Sequence, residues 1–458
     1  MKNKIKNIYF VGIGGSGMSG IAEVMHNLNF NIQGSDLGKS ESIRHLKKIG
    51  INIFSKHQEK NIKNIDVLVV SAAISAKNPE VKSAINQKIP IITRAEMLAE
   101  LMRFKKGVAV AGTHGKTTTT SLIASILSEG KLDPTYVIGG RLNSMNANAK
   151  LGDSDLIIVE ADESDASFLH LNPVSAIITN IDNDHLGTYQ NNFETLKQTY
   201  INFAHQVPFY GSIFLCADDK HVKNIMRNIS RPIVTYGLRN KVDIKAVNIR
   251  HEGNQVHFRV IDSKYNQNEF DITINFPGEH FVRNTLAAIA IALEYGVKTS
   301  DIQKALVNFK GVARRYEIYN NISIQDKKIK VIDDYGHHPT EIEAVLKATK
   351  KAFKNKKINL VFQPHRFSRT RDCFDEFIRV LKIPDMVFLF DIYSAGEVDN
   401  KDISTKILMK SIKHPAIHHL PNFKHAKNTI INLIEDDSIL IIMGAGSIGN
   451  FVQQIIEK

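Results

Sequence analysis

The chain has 458 residues, 43% hydrophobic and 23% charged, with a formal net charge of +12. This is ordinary globular composition, long enough for two to four domains, and no run approaches the roughly 20 apolar residues of a membrane span. Cys216 and Cys373 are the only cysteines and lack C-x-x-C spacing, which excludes a disulfide framework and a thiolate zinc site.

The N-terminus "MKNKIKNIYFVGIGG" is basic and then apolar, but the apolar part is short and breaks into glycines. It reads as a strand and loop, not a signal peptide, so a cytoplasmic protein is expected. Short apolar runs follow at "IKNIYFVGI", "FNIQGSD", "INIFS", "IDVLVVSAA" and "IPIITRA", most of them separated by helical stretches. A second block opens at "KGVAVAGTHGK" and continues through "SDLIIVEADESD", "VSAIITNIDNDHLG" and "GSIFLCADD". Between about 232 and 276 the texture changes to short alternating pieces that predict antiparallel strands, followed by the helix "NTLAAIAIALEYG". A third block begins near "FKGVARRYEIY", with strands in "KIKVIDDYGHHP", "KINLVFQPHRFSRT", "MVFLFDIYSAGE" and "SILIIMGAGSIG". The alternation predicts an α/β chain with parallel sheets, and the block boundaries fall near 106 and 312. The lysines are spread along the chain, which predicts a solvated basic surface with some attraction for anionic small molecules, and no nucleic-acid or membrane partner.

"AGTHGKTTTT" carries the clearest chemistry. An apolar strand runs into a glycine loop, then Lys116, Thr117 and a helix. Backbone N–H groups of such a loop, with the positive end of the helix dipole, suit a polyphosphate. Lys116 is placed to reach the β/γ-phosphates, and the Thr117 hydroxyl suits Mg²⁺. The match is to G-x-x-G-K-[ST]; the longer spacing would need glycine where this chain has Val110. The alternative, a Gly/Thr-rich turn with a surface lysine, does not explain the strand and helix on either side. In "DLIIVEADESD" a buried strand delivers Glu160 to its end, either to complete a Mg²⁺ shell or to cap a helix, and the neighbouring loop favours the metal. "TNIDNDHLG" ends a strand in Asp184 and His185; a lone histidine is more often structural than a ligand. "QPHRFSRTRD" places Arg366, Arg369 and Arg371 at one strand end, where guanidinium forks pair with carboxylate or phosphate. A solvated helix start accounts equally for Arg369 and Arg371.

The first glycine loop, Gly12, Gly14 and Gly17 with Gly15 and Ser16 between, spells G-x-G-x-x-G. Asp36 lies nineteen residues beyond Gly17, as a ribose-binding acid does in dinucleotide sites. The glycines alone establish a close approach to phosphate or a tight strand–helix turn, not the rest of the ligand. "VVSAAIS" ends a neighbouring strand and offers Ser71 to the same side of the sheet.

"GIGGSGMSGIA", "GTHGKTTTT", "EADESD", "TNIDNDHL", "FKGVARRYE", "DDYGHHPTEI", "FQPHRFSRTRD" and "GAGSIG" occur in that order. Together they resemble the Mur ligases over about residues 8 to 450. The resemblance implies three domains: a Rossmann-like domain for a UDP-sugar (1–106), a central P-loop ATPase (107–311) and a Rossmann-like C-terminal domain for the incoming amino acid (312–458). It implies ATP-dependent amide-bond formation through an acyl phosphate in peptidoglycan precursor synthesis, with Mg²⁺, by a monomer or homodimer. "DDYGHHPTEI" looks more like the members that add L-alanine to UDP-N-acetylmuramate than those that attach a recovered peptide.

By resemblance, Gly112, Thr113, His114, Gly115, Lys116, Thr117 and Thr118 form the ATP loop. His280 and Asn284 match the adenine region. Thr117, Glu160 and His185 match positions that organise magnesium, and Gly12, Gly14, Gly15, Ser16, Gly17, Asp36 and Ser71 fall to the UDP-sugar. Arg314 and Arg315 are expected near the reacting phosphates. Tyr335, His337, His365 and Arg366 are expected around the amino-acid and acyl-phosphate end, with His185 or His337 as proton acceptor. Phe281 stands where relatives commonly have the first Asn of "HNxxN". Several members carry a carbamylated lysine downstream of the "DH" pair; Lys197 lies in that region, but Thr199 occupies the matching place, so no carbamylation is assigned. An NAD-dependent oxidoreductase built on the first loop leaves the ATP block unexplained, and a non-catalytic nucleotide binder does not account for the intact Lys116, Thr117 and Glu160.

Overall fold

The computed structural model describes residues 4–71, 73–143, 147–239, 241–398 and 402–457, with the side chain of Ser16 outside that set. The first sheet consists of β1 (Asn7–Val11), β2 (Asn31–Ser35), β3 (Asn52–Phe54), β4 (Val67–Val70) and β5 (Ile91–Thr93), ordered β3-β2-β1-β4-β5. All its pairings are parallel. The chain winds outward from β1 in one direction and returns to β4 on the other side. The switch point between β1 and β4 is therefore where a ligand crevice opens at the carboxyl ends. The first glycine loop and Ser71 both stand there.

The second sheet contains β6 (Lys106–Ala111), β7 (Thr135–Leu142), β8 (Ala147–Lys150), β9 (Leu156–Glu160), β10 (Ser175–Ile178), β11 (Ser212–Cys216), β12 (Ile233–Gly237), β13 (Ile244–Glu252), β14 (Gln255–Asp262) and β15 (Glu269–Ile274). Its order is β15-β14-β13-β12-β11-β10-β6-β9-β7-β8. Strand β6 lies between β9 and β10, parallel to both. The central strands read as unbroken apolar runs because successive residues along each run, which point to opposite faces, are all buried. The stretch 232–276 is in strands as expected, but β12 and β13 pair in parallel rather than antiparallel. β7 and β8 were not evident in the sequence, since the Gly-Gly of "TYVIGGRL" resembles a turn.

The third sheet holds β16 (Glu317–Ile324), β17 (Lys327–Asp334), β18 (Ile358–Phe362), β19 (Met386–Phe390), β20 (Ile417–Leu420) and β21 (Ile439–Met443), ordered β16-β17-β21-β18-β19-β20. Only β16 is antiparallel to its neighbour.

The chain forms two compact units. One comprises Met1–Val247, Arg259–Asp271 and Arg283–Phe309; the other comprises Asn248–Phe258, Ile272–Val282 and Lys310–Lys458. In the first unit a single apolar cluster runs from Ile8, Phe10 and Ile21 through Val137, Ala149 and Ile157 to Tyr200 and Phe203. The helix Ser16–Asn27 bears directly on the second sheet: a Cβ at Gly20 would lie 3.1 Å from the Ala149 Cβ. Both glycine loops are thus carried by one packed body. The core of the second unit joins Val331, Val361, Phe388, Phe390, Ile442 and Phe451. Among the described residues no helix is long and apolar enough to cross a membrane.

Candidate functional site

The second glycine loop leaves β6 at Ala111 and enters the helix Lys116–Glu129. Gly112 (φ +130°) and Gly115 (φ +83°) both adopt backbone that favours glycine. Space excludes a side chain as well: a Cβ on Gly112 would fall 2.0 Å from Thr179 Oγ1, and one on Gly115 would fall 2.7 Å from Asn284 Oδ1. The segment after β10 holds the loop in shape. Asn180 Oδ1 accepts from His114 N–H (2.9 Å), and Thr179 Oγ1 and Asn180 Nδ2 donate to His114 O (2.7 and 2.9 Å). The His114 ring meets Asp182 Oδ2 at 2.9 Å, and the Asp182 N–H donates to Thr113 Oγ1. Thr117 and Thr118 are buried in the first turn.

Lys116 donates to Gly112 O (2.7 Å) and to Glu163 Oε2 (2.6 Å). Burial pulls the ammonium pKa down, but Glu163, Asp162 and Glu160 outweigh it and leave it raised. Burial pushes the Glu163 carboxyl up to about 7 against the pull of Lys116. Burial also works against the charged form of Asp162, yet Lys116, Ser164 and Arg94 hold its pKa below the usual range. Glu160 ends β9 in register with Val110 of β6 and accepts the Gly139 N–H at 2.9 Å. His185 (φ +56°) closes the loop after β10, where its N–H donates to Asp184 Oδ1 and its ring approaches Asp184 Oδ2 at 3.5 Å. Thr117 follows β6, Glu160 ends β9 and His185 follows β10, so three adjacent strands carry these residues at the carboxyl end of the sheet. Hydroxyl and carboxylate oxygens are the donors a hard cation prefers, so Thr117 and Glu160 fit magnesium by donor type.

The first loop is anchored differently. The Gly12 and Ile13 N–H groups donate to Ser35 O (2.8 and 3.1 Å), and the Gly14 N–H donates to Asp36 Oδ2 (2.8 Å). Asp36 Oδ1 accepts from Gly38 N–H at 2.8 Å. The acid that spacing offered as a ribose contact thus has both oxygens engaged in holding the loop. Gly12 (φ +79°) leaves 3.1 Å between an added Cβ and Ser71 Cβ, which seats the ends of β1 and β4 together; Gly15 precedes the helix in extended backbone. Below the loop, fully buried Glu80 accepts from Tyr9 OH (2.7 Å), Ser35 Oγ (2.5 Å) and Asn61 Nδ2 (2.6 Å), and meets His57 Nδ1 at 2.9 Å. Sequence reading missed this network because its members are drawn from β1, β2, the segment 57–61 and the helix Pro79–Asn86.

In the second unit, Arg315 lies over the Tyr335 ring at 5.0 Å and approaches Glu341 at 3.9 Å. His337 Nδ1 meets Tyr335 O at 3.1 Å, and the His337 ring lies 5.6 Å from His365, which stacks on Tyr393. Arg366 (φ +72°) donates its N–H to Tyr393 O. The expected cluster of Tyr335, His337 and His365 is therefore assembled. Arg314 also lies over the Tyr335 ring, at 5.3 Å, while its Nε reaches Asp333 at 3.3 Å and its Nη2 donates to Gly444 O at 2.7 Å. It braces the "GAGSIG" loop from beneath, and burial still pushes Asp333 up to about 7. Arg369 is buried, with Nη1 3.4 Å from His365 Nδ1, while exposed Arg371 pairs with Asp372. Asn284 lies against Gly115, and the His280 ring packs on Phe281 at 4.4 Å.

The chain belongs to the Mur ligase family. Residues 7–106 match the model described as Mur ligase family, catalytic domain; residues 110–292 match the Mur ligase middle domain; and residues 314–446 match the glutamate ligase domain. The curated relative named UDP-N-acetylmuramate–L-alanine ligase from Hydrogenovibrio crunogenus is 49% identical over 99% of this chain and 98% of its own length. The protein of that name from Neisseria meningitidis serogroup A is 46% identical over 100% and 99%. Among solved structures, the UDP-N-acetylmuramate–alanine ligase of Thermotoga maritima superposes with a TM-score of 0.83 at 28% identity, covering 98% of each chain.

Proposed function

We propose that the chain joins L-alanine to the lactyl carboxylate of UDP-N-acetylmuramate at the expense of ATP, releasing ADP and phosphate, in peptidoglycan precursor synthesis. The observation that carries this reading is that one packed unit holds two separately built glycine loops at the starts of helices, one with a buried lysine–carboxylate pair and one without. Two phosphorylated substrates need two such loops. Full-length identity of 46–49% to relatives of that name supports the choice of sugar nucleotide and amino acid.

The chemistry follows from the substrates. A carboxylate is a poor electrophile, because an amine cannot expel oxide from it. Transfer of the ATP γ-phosphoryl group to a carboxylate oxygen of the lactyl group, with ADP leaving, gives an acyl phosphate. The unprotonated alanine amine attacks the carbonyl carbon, and the tetrahedral intermediate expels phosphate. Residues Gly112–Thr118 cradle the triphosphate with backbone N–H groups, Lys116 exchanges Glu163 for phosphate oxygens, and Asn284 borders the nucleotide. Thr117 and Glu160, with His185 from the next strand, would hold magnesium, which when bound would neutralise phosphate charge. Gly12, Gly14, Gly15, Ser16, Gly17 and Ser71 surround the UDP diphosphate, with Asp36 holding their backbone. Tyr335, His337, His365, Arg315 and Arg366 form the amino-acid end, with Arg314 supporting them through the "GAGSIG" loop and His280 assigned to the adenine region. His185 or His337 takes the amine proton. The domain limits 1–106, 107–311 and 312–458, a cytoplasmic location and a monomeric or homodimeric state belong to the same reading.

The test is phosphate release with ATP, Mg²⁺ and UDP-N-acetylmuramate across a panel of amino acids and a peptidoglycan tripeptide. Turnover with L-alanine is expected. Turnover with the tripeptide alone would transfer the chain to the peptide-attaching branch of the family.

A further inference from the structure

Arg94 is the first residue of the helix Arg94–Met102. The position is rigidly set: Thr93 caps that helix, accepting from Glu96 N–H, while Glu96 returns a carboxylate to Thr93 N–H at 2.7 Å. From there the guanidinium lies across the first turn of the helix that follows the first glycine loop. A Cβ on Gly17 would stand 3.1 Å from Arg94 Cδ and 3.3 Å from Nη1. The third glycine of G-x-G-x-x-G therefore makes room for an arginine as well as for a ligand. Through Nη2, Arg94 donates to Asp162 at 3.3 Å, its sole hydrogen-bond partner among the described residues, and its side chain remains 26% exposed. Nε and Nη1, on the side facing Gly17, keep their donors.

We propose that Arg94 is a direct ligand of the sugar nucleotide's diphosphate, completing a loop that has no lysine of its own. The inference rests on the reading of the first loop as the UDP site. The physical case has three parts. The loop N–H groups of Gly12, Ile13 and Gly14 are already spent on Ser35 and Asp36, so the backbone alone offers few donors to an anion. A guanidinium fork presents paired donors to phosphate oxygens. Asp162 holds the fork at the loop in the free enzyme and lies in the "EADESD" segment beside Glu163. The same contact therefore joins the sugar-nucleotide loop to the segment that holds Lys116.

The experiment uses the full chain without ATP, titrated calorimetrically with UDP and with UDP-N-acetylmuramate. Wild type is expected to bind both, and failure to bind either would remove the reading of the loop itself. With wild-type binding in hand, Arg94→Ala is expected to weaken both ligands by about ten- to a hundredfold, the loss of a charge-assisted hydrogen bond, with KM for ATP unchanged. Arg94→Lys should recover part of the loss, because it keeps the charge without the fork. Gly17→Ala should weaken UDP in the wild-type background and add little in the Arg94→Ala background, because its methyl acts by displacing the guanidinium. Unchanged UDP binding in a folded Arg94→Ala, a loss confined to UDP-N-acetylmuramate, or full additivity of the two substitutions would overturn the proposal.

Discussion

The two glycine loops solve one problem by opposite means. Each follows a strand that lies between parallel neighbours, and each precedes a helix. In the second loop the shape is fixed from outside, by Thr179 and Asn180, and a lysine is held beneath it by Glu163. In the first the shape is fixed by Ser35 and Asp36 at the end of the adjacent strand, with Glu80 behind Ser35, and the cation comes from another helix. A lysine fixed inside the loop can stay beside the β/γ-phosphates as charge shifts between them, which suits a group that is transferred. An anchored loop with a borrowed arginine suits a diphosphate that is only held.

The largest effect that would break this contrast is Lys116→Ala. Turnover should fall about a hundred- to a thousandfold, as for loss of a principal electrostatic donor, while calorimetric affinity for UDP stays within twofold. Loss of both functions together would mean the loops are not independent. Glu160→Gln comes next: it removes one charge from the proposed hard-cation site, so activity should fall about tenfold or more at limiting Mg²⁺ and recover in part at high Mg²⁺. A loss independent of Mg²⁺ would make Glu160 a support for Gly139 alone.

Asp36→Asn sharpens the other side. One oxygen acceptor becomes a donor facing Gly14 or Gly38, at a cost of about 1–2 kcal/mol. KM for the sugar nucleotide should rise about tenfold while KM for ATP is unchanged. A matching rise in KM for ATP would contradict the separate anchoring of the two loops.

The smallest effect concerns pH. Burial raises the Glu163 carboxyl in the folded chain to about 7, above the ordinary glutamate value of 4.5. The folded state therefore binds this proton more tightly, and the contribution is present below about pH 4.5 and lost as pH rises toward 7. Glu163→Gln removes that dependence, so its thermal midpoint relative to wild type should climb from pH 5 to pH 8. A constant difference across that range would contradict the burial argument.

What the sequence disclosed was local. Gly112, Gly115, Lys116 and Thr117 are readable because a phosphate loop is one continuous turn, and Glu160 because an apolar strand points to its own last residue. The first five strands were legible for the same reason. Contacts set by sheet order were not. Asn180 grips His114 across 66 residues, and Arg94 meets Asp162 across 68. Asp36 had the spacing of a ribose ligand, but spacing does not reveal that both its oxygens face the loop backbone. Arg314 and Arg315 are adjacent, so no pattern separates them; both lie over the Tyr335 ring, but Arg314 reaches on to Gly444 O and Asp333 while Arg315 approaches Glu341.

The most direct measurement is a calorimetric competition on the full chain. UDP is titrated first alone and then in the presence of saturating ATP and Mg²⁺, and NADH is titrated in a parallel run. One UDP per chain should bind in both conditions, with ATP failing to displace it and NADH failing to bind. Displacement of UDP by ATP, or tight NADH binding that UDP does not reverse, would contradict the assignment of the two loops to two different phosphorylated substrates.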